Sequence, residues 1–160
     1  MTIAIYPGSF DPFTNGHLDI LKSGAELFEK VIIAIPYTSQ KQSFIPVNTR
    51  KSLIETCIKS IPNTEVDLYE GLTVDYAKKR NASVLLRGLR NSADFEYEMQ
   101  LSQNNNAICN EIKTIFLITK PEYSYISSSS VREIYTNNGD ISKFVPKPVL
   151  EYLKKSIHDI

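Results

Sequence analysis

Short apolar runs alternate along the chain with longer stretches whose apolar residues recur at helical spacing. Leu18, Leu21, Ala25 and Phe28, for example, are spaced 3, 4 and 3 residues apart, which marks one face of a helix. Most of the short runs are continuously apolar, as expected for parallel strands that are covered on both faces. The alternation therefore predicts an α/β fold, with a parallel sheet and helices on both of its faces.

The apolar runs predict five strands, and the stretches between and after them predict six helices. The predicted strands are Ile3–Tyr6, Val31–Ile35, Glu65–Leu68, Val84–Leu86 and Thr114–Ile118. The predicted helices cover about residues 17–28, 47–60, 73–80, 92–106, 128–137 and 147–157. Neither an internal repeat nor a low-complexity linker interrupts this pattern, so the sequence predicts a single domain over residues 1–160.

Composition restricts the classes of function. The chain has 160 residues, of which 42% are hydrophobic and 22% charged, as expected for a globular domain with a sizeable core. The formal net charge is zero, which argues against a protein built mainly to coat nucleic acid.

Cys57 and Cys109 are far apart in sequence and predict buried thiols in a reducing compartment. We find no signal-peptide pattern and no apolar run of membrane-spanning length, so we expect a cytoplasmic protein without a membrane partner.

The first candidate for chemistry is the segment YPGSFDPFTNGH, residues 6–17, which joins the first predicted strand to the first predicted helix. Its glycines, prolines and Asn-Gly pair mark a loop. Ligands in open α/β sheets bind beyond the carboxyl ends of strands, where this loop lies. Gly8 and Gly16 omit side chains, which predicts that the backbone approaches another group closely.

The end of this loop predicts an anion site. Thr14 or Asn15 is expected to cap the first helix, which leaves N–H groups of the helix free for an anion. His17 follows in the first turn, where an imidazole can donate a hydrogen bond to a phosphoryl oxygen. A lone histidine is more often an ordinary solvent-facing side chain, but the glycines and the place of this loop favour a binding site.

The second candidate is LLRGLRNSADFEYEMQ, residues 85–100, at the end of a predicted buried strand. Arg87 follows the strand, Gly88 is expected to turn the chain, and Arg90 comes three residues after Arg87. The guanidinium fork of arginine suits phosphate because it donates two hydrogen bonds at once. The alternative is a pair of surface arginines that are satisfied by nearby carboxylates, which are Asp94, Glu96 and Glu98.

The third candidate is YSYISSSSVRE, residues 123–133, after the last predicted strand. Ser130 with Glu133 fits a capping box, which is the structural interpretation. The functional interpretation is a helix N-terminus whose N–H groups and serine hydroxyls hold phosphates, with Arg132 nearby. Many helices begin with serine, so this segment alone does not decide between the two.

Lys41 lies in the loop TSQKQSF after the second predicted strand. A loop lysine is usually only solvated. This loop is expected to open on the same edge of the sheet as the other candidate segments, which would allow Lys41 to close over an anionic substrate.

Several common chemistries lack their motifs. The chain has no G-x-x-x-x-G-K-[ST] segment, which excludes a P-loop phosphate hydrolase. No G-x-G-x-x-G segment follows the first predicted strand, which argues against nicotinamide-dinucleotide binding. The histidines are His17 and His158, and neither is paired with a serine or cysteine nucleophile, so covalent catalysis has little support.

The three segments together resemble a known family. GSFDPFTNGH is similar to the T/H-x-G-H signature of the nucleotidyltransferase superfamily, and ISSSSVRE is similar to its I-S-S-x-x-x-R signature. LLRGLRNSADFEYEMQLSQNN resembles the R-G-L-R…D-F-E-Y-E segment of the bacterial phosphopantetheine adenylyltransferases. The resemblance covers nearly the whole chain. Ser9 departs from the usual threonine of this family but keeps the hydroxyl, and Thr73 stands where a larger apolar residue is common.

The resemblance implies a fold and a reaction. The fold is a Rossmann-like, doubly wound, five-stranded parallel sheet. The reaction transfers the adenylyl group of ATP to 4′-phosphopantetheine and releases dephospho-coenzyme A and pyrophosphate, in the penultimate step of coenzyme A synthesis. The resemblance also implies Mg²⁺ as cofactor without a metal site of the protein's own, and a homohexamer.

Roles carried over by position are also implied by the resemblance. His17, Lys41 and Arg90 would be catalytic, because they would stabilise the transition state or neutralise phosphate. Phosphopantetheine would be held by Ser9, Lys41, Thr73 and Arg87. ATP would be bound by Ser9, Phe10, His17, Gly88, Leu89, Arg90, Glu98, Tyr123, Ser124, Tyr125, Ile126, Ser127, Ser128 and Ser129.

Three alternatives stay open at the level of sequence. Another member of the superfamily, such as a cytidylyltransferase or a nicotinamide mononucleotide adenylyltransferase, would differ in nucleotide or acceptor. A nucleotide-sensing module would bind ATP without turnover. A purely structural α/β protein would leave the polar, glycine-rich loops unexplained.

Overall fold

The computed structural model describes residues 2–37 and 43–157. Within these residues, five parallel strands form a sheet in the order β3-β2-β1-β4-β5. The strands are β1 (Ile3–Pro7), β2 (Lys30–Pro36), β3 (Thr64–Tyr69), β4 (Val84–Leu89) and β5 (Lys113–Ile118). All five predicted strands are therefore confirmed, with small differences at their ends.

The six predicted helices are also present. They are α1 (Asn15–Leu27), α2 (Val47–Cys57), α3 (Thr73–Lys79), α4 (Ser92–Ile108), α5 (Ser128–Thr136) and α6 (Lys147–Ile157), and a 3₁₀ turn covers Pro121–Tyr123. None of the helices in the described part of the chain has the length and apolar character that a membrane crossing requires.

Two hydrophobic cores cover the two faces of the sheet, because alternate strand residues point to opposite sides. Ile20 and Leu21 of α1 belong to one core, together with Leu86 of β4. Val74 of α3 belongs to the other, together with Leu85, the neighbour of Leu86 in the strand. The predicted α/β fold with helices on both faces of a parallel sheet is thus confirmed.

Both cysteines are free thiols, and Cys109 is buried, whereas Cys57 is only partly buried.

The end of β4 differs from the prediction. The strand was expected to stop at Leu86, with Gly88 turning the chain, but it continues to Leu89. Gly88 pairs with Leu117 in the register between β4 and β5, and Leu89 pairs with Ile118. The prediction was wrong because this pairing is made with a strand that is distant in sequence, so local turn propensity did not reveal it.

The strand order determines where a ligand can bind. The chain winds outward from β1 to β3 and then places β4 on the opposite side of β1. In open α/β sheets, the crevice for ligands lies beyond the carboxyl ends of the strands at this reversal. The loops that follow β1 and β4 meet there.

Candidate functional site

A cavity of about 300 Å³ lies at the carboxyl ends of β1 and β4, where the winding reverses. It brings together most of the residues that the sequence predicted for a nucleotide site. The predicted residues that line it are Ser9, Phe10, His17, Arg87, Gly88, Arg90, Glu98, Ile126, Ser127, Ser128 and Ser129. The three separate sequence segments therefore meet in one site.

His17 is held by the residue that caps its helix. The Thr14 hydroxyl accepts a hydrogen bond from the N–H of His17 (3.3 Å), which confirms Thr14 as the predicted cap of α1. The backbone N–H of Thr14 donates to Nδ1 of His17 (3.1 Å). The imidazole also lies between two buried phenylalanines, with ring centroids 5.0 Å from Phe10 and 5.7 Å from Phe13. These contacts fix the orientation of the ring.

The environment of His17 keeps the imidazole neutral. Burial lowers the pKa of His17, and the positive charges of Arg90 and Arg87 lower it further, to about 3. A neutral ring carries one proton, and Nδ1 is already an acceptor, so the proton is on Nε2. His17 therefore offers the cavity a neutral N–H donor at physiological pH rather than a positive charge.

Arg87 forms an ion pair with a buried carboxylate. Its Nε donates to one carboxylate oxygen of Glu98 at 2.7 Å, and its Nη2 donates to the other. Nη1 donates to the carbonyl of Pro7 at 2.7 Å, which ties β4 to the end of β1. Burial alone would lower the pKa of Arg87, but Glu98 outweighs this effect and the pKa is raised. Glu98 thus positions Arg87.

Arg90 forms a similar pair with a more exposed partner. Its Nε and Nη2 donate to the two carboxylate oxygens of Asp94, at 2.8 and 2.9 Å. Nη1 donates to the carbonyl of Ile126 at 3.1 Å, so Arg90 links α4 to the loop before α5. An arginine side chain has five N–H donors, and its bonds to described residues leave two for a ligand. Both arginines therefore pair with nearby carboxylates, and both line the cavity.

The serine-rich segment caps α5, but not with the predicted residues. Ser127 is the N-cap and accepts a hydrogen bond from the N–H of Ser130 (3.0 Å), while the Ser130 hydroxyl accepts one from the N–H of Ser127 (3.1 Å). The predicted capping box of Ser130 with Glu133 is therefore wrong, because the helix begins three residues earlier. Ser128 donates to the carbonyl of Pro12 at 2.8 Å. The helix N-terminus thus lies directly against the loop after β1.

The glycines of that loop serve different purposes. A Cβ at Gly8 would lie 2.9 Å from the ring of Phe10, which is only 2% exposed and has a positive φ of 47°. Gly8 therefore approaches another group closely, as predicted, and this group is the Phe10 ring; Gly8 also lines the cavity. A Cβ at Gly16 would have its nearest described neighbour at 3.6 Å, and Gly16 faces the cavity. The missing side chain of Gly16 leaves room in the cavity without any such close contact.

A second cavity of about 230 Å³ adjoins the first. Pro7, Gly8, Arg87 and Glu98 line both cavities and separate them. Thr73 lies in the second cavity, where its hydroxyl is 2.8 Å from that of Tyr69.

The structure places some predicted residues outside the two cavities. Lys41 lies outside the described residues. Leu89, Tyr123, Ser124 and Tyr125 do not line either cavity, and Tyr125 is 62% exposed. Tyr6, Thr119 and Asp94 also line the larger cavity but were not predicted as site residues. Thr119 follows the predicted fifth strand directly, so its position at the carboxyl edge was the signal that could have found it.

Comparisons with known proteins agree with this geometry. The cytidylyltransferase-like family model matches residues 5–134, which include all three predicted segments. A phosphopantetheine adenylyltransferase from Crocosphaera subtropica is 52% identical over 96% of this chain and 98% of its own length. The chain belongs to the phosphopantetheine adenylyltransferase family. A relative of the same name from Caldanaerobacter subterraneus is 49% identical over 96% of each chain.

A solved structure supports the fold of this family member. The bifunctional NMN adenylyltransferase/ADP ribose pyrophosphatase from Francisella tularensis superimposes with a TM-score of 0.77. The match covers 98% of this chain and 50% of that protein, at 15% identity. At this identity the likeness shows the fold alone.

Proposed function

We propose that the protein transfers the adenylyl group of ATP to 4′-phosphopantetheine, producing dephospho-coenzyme A and pyrophosphate. The observation that carries this proposal is the cavity between β1 and β4, into which the His17 donor, Arg90 and the N-terminus of α5 all face. Such a set of donors suits a nucleoside triphosphate. The relatives named phosphopantetheine adenylyltransferase support the acceptor.

The two adjoining cavities suggest how the substrates would be arranged. ATP would occupy the larger cavity, and phosphopantetheine the smaller one, which contains Thr73. Arg87 lies in the wall that both cavities share, so it is placed to contact the phosphate of the acceptor next to the α-phosphate of ATP. Ser9 lines the larger cavity. The reaction would then occur at the shared wall.

The chemistry needs positioning and charge stabilisation rather than a general base. The attacking phosphate of phosphopantetheine is already ionised at pH 7. It would attack the α-phosphorus of ATP in line with the departing pyrophosphate, and a P–O bond would form as the bond to the leaving oxygen breaks. Holding the two phosphates in this geometry accounts for much of the barrier reduction. Nε2–H of His17 would donate to the α-phosphate as its charge shifts.

The charge of the cavity suggests that the phosphates of ATP need a further cation. The positive charges of Arg87 and Arg90 are balanced by Glu98 and Asp94, so these four residues contribute no net charge. Among the described residues, no cluster of three or more histidine, cysteine or carboxylate side chains is arranged to hold a metal. Mg²⁺ commonly binds through substrate phosphates with few protein ligands. We therefore propose that Mg²⁺ enters with ATP and offsets the negative charge of its phosphates.

We also propose that the protein is a homo-oligomer, a hexamer as the family resemblance implies. Support comes from the α4–β5 face, which we define by Phe95, Met99, Phe116 and Ile118. Ile118 is 82% exposed on the edge strand β5, and Phe95 and Met99 are 43% and 41% exposed on α4. Exposed apolar patches and open sheet edges are typical of surfaces that pair with another chain.

Pyrophosphate release with different substrate pairs tests the proposed function. The protein is incubated with Mg²⁺ and either ATP or CTP, and with either 4′-phosphopantetheine or nicotinamide mononucleotide. We expect release only with ATP and 4′-phosphopantetheine. Pyrophosphate release with nicotinamide mononucleotide would show that the protein is an adenylyltransferase for a different acceptor. ATP binding without release would indicate a nucleotide-sensing module.

A further inference from the structure

Arg50 is a buried cation outside both cavities. It lies on α2, is 7% exposed, and contacts two different loops. Its Nε donates to the carbonyl of Ile45 at 2.9 Å, and its Nη1 donates to the carbonyl of Ser9. Ser9 lines the larger cavity, which we call the nucleotide cavity, whereas Ile45 does not. Arg50 thus joins the nucleotide loop, residues 7–14, to the segment that leads into α2.

Asp11 makes a second connection between the same two parts of the chain. Its carboxylate accepts hydrogen bonds from the N–H groups of Phe44 and Ile45, both at 2.8 Å. Nε of Arg50 is 3.9 Å from the nearer oxygen of this carboxylate. Both charged groups are therefore hydrogen-bonded to backbone, which is the condition under which buried charges are tolerated.

The nucleotide loop is also held by α5. Arg132 donates to the carbonyl of Asp11 at 2.6 Å, and Ser128 donates to the carbonyl of Pro12 at 2.8 Å. Arg50 is the contact that fixes the carbonyl of Ser9. The orientation of the Ser9 peptide bond sets where Ser9 and the following Phe10 lie, and the Phe10 ring packs against His17 with centroids 5.0 Å apart.

We propose that Arg50 is a positioning residue for nucleotidyl transfer, which acts by holding the Ser9 carbonyl and so the nucleotide loop. The inference rests on the proposed function for its kinetic readout. A guanidinium can donate hydrogen bonds to the carbonyls of Ser9 and Ile45 together because its donors form a rigid fork. A lysine keeps the charge but presents a single ammonium on a flexible chain, so it cannot reproduce both bonds in the same geometry.

The test compares Arg50→Lys with a matched substitution elsewhere. Arg80→Lys is the control, since Arg80 is a partly buried arginine that donates to three groups, Glu65, Asp67 and the hydroxyl of Tyr76, and lines neither cavity. We expect Arg50→Lys to raise the KM for ATP about tenfold at a temperature where it is folded, and Arg80→Lys to leave this KM within twofold. If both variants lose thermal stability and neither changes the KM, Arg50 has a structural role only and the proposal is overturned.

A measurement on the unmodified protein covers the case in which Arg50→Lys does not fold. Hydrogen exchange is followed at the amides of Phe44 and Ile45, which lie in the segment that Arg50 joins to the nucleotide loop through the carbonyl of Ile45. Saturating ATP is expected to slow their exchange several-fold, because binding would order the loop to which they are tied. Unchanged exchange would overturn the coupling. This readout requires no turnover, so it separates a failure of the positioning role from a wrong assignment of the acceptor.

Discussion

The backbone N–H of Thr14 donates to Nδ1 of His17 at 3.1 Å, and this contact determines which nitrogen of the imidazole carries the proton. The helix cap therefore does more than begin α1. It fixes the ring as the Nε2–H tautomer, and burial with Arg90 and Arg87 nearby keeps this tautomer neutral. A fixed neutral donor suits a reaction in which negative charge shifts at a phosphate without a proton transfer.

The lowered pKa of His17 predicts a pH dependence of stability. Unfolded His17 protonates near its ordinary pKa of 6.5, whereas in the folded protein it stays neutral down to about pH 3. The unfolded state therefore binds more protons between these values, so the stability that His17 contributes is present above pH 6.5 and is lost as the pH falls. We expect the free energy of unfolding of the native protein to drop, relative to His17→Gln, by about 1 to 2 kcal/mol between pH 7 and pH 5. Denaturant titrations of both proteins measure this difference, and parallel curves would contradict the neutral state of the ring.

The two arginine–carboxylate pairs are expected to differ in their effect on stability. Glu98 is 8% exposed and accepts two bonds from Arg87, so Glu98→Gln leaves a buried cation poorly paired. We expect this substitution to lower the free energy of unfolding by about 3 kcal/mol. Asp94→Asn is the comparison, because its partner Arg90 is more exposed, and its expected cost is about 1 kcal/mol. Equal losses in urea unfolding would contradict the difference in burial.

Gly8 and Gly16 are predicted to respond differently to alanine. Gly8→Ala would place a methyl group 2.9 Å from the ring of Phe10, and we expect it to lower the free energy of unfolding by about 1 to 3 kcal/mol. Gly16 is the second residue of α1, so Gly16→Ala is expected to leave stability unchanged or to raise it by up to about 1 kcal/mol. Its methyl group would enter the nucleotide cavity, and we expect a higher KM for ATP. A stable Gly16→Ala protein with a normal KM would show that this glycine is not reserved for the ligand.

The α4–β5 face predicts the assembly state. Ile118→Glu places a charge at the most exposed apolar position of this face, and we expect it to convert the oligomer to a smaller species. Leu27→Glu is the control, since Leu27 is also exposed, at 64%, but lies at the end of α1. Light scattering with size-exclusion chromatography measures both masses. An unchanged mass for Ile118→Glu, or an equal loss in both variants, would argue against this face as the interface.

The sequence was sufficient for what depends on local pattern. Strands and helices were predictable because apolar periodicity is local, and Thr14 was predictable as a cap because its side chain suits that position. The shared position of the three candidate segments followed from their places after strands of a parallel sheet. These features predicted that His17 and Arg90 lie in one site.

Features that depend on contacts distant in sequence were not predictable. The extension of β4 through Gly88 needs β5, and the requirement for glycine at residue 8 needs the left-handed Phe10 to turn its ring back. The connection from Arg50 to Ser9 spans 41 residues of sequence. Spacing could suggest Asp94 and Glu98 as partners of the arginines, but only the geometry shows that each one pairs with a single arginine.

The most direct test of the account is the identification of the product by mass spectrometry in a single turnover. Native protein, His17→Gln and His17→Ala are each mixed with Mg²⁺, ATP and 4′-phosphopantetheine. We expect dephospho-coenzyme A from the native protein, and a rate lowered by about 10²–10³ in His17→Ala, which corresponds to about 2.7–4 kcal/mol of barrier. His17→Gln should recover part of this loss, because its amide can place an N–H donor near the position of Nε2. A product other than dephospho-coenzyme A would contradict the proposed function, and a near-native rate in His17→Ala would contradict the role of His17.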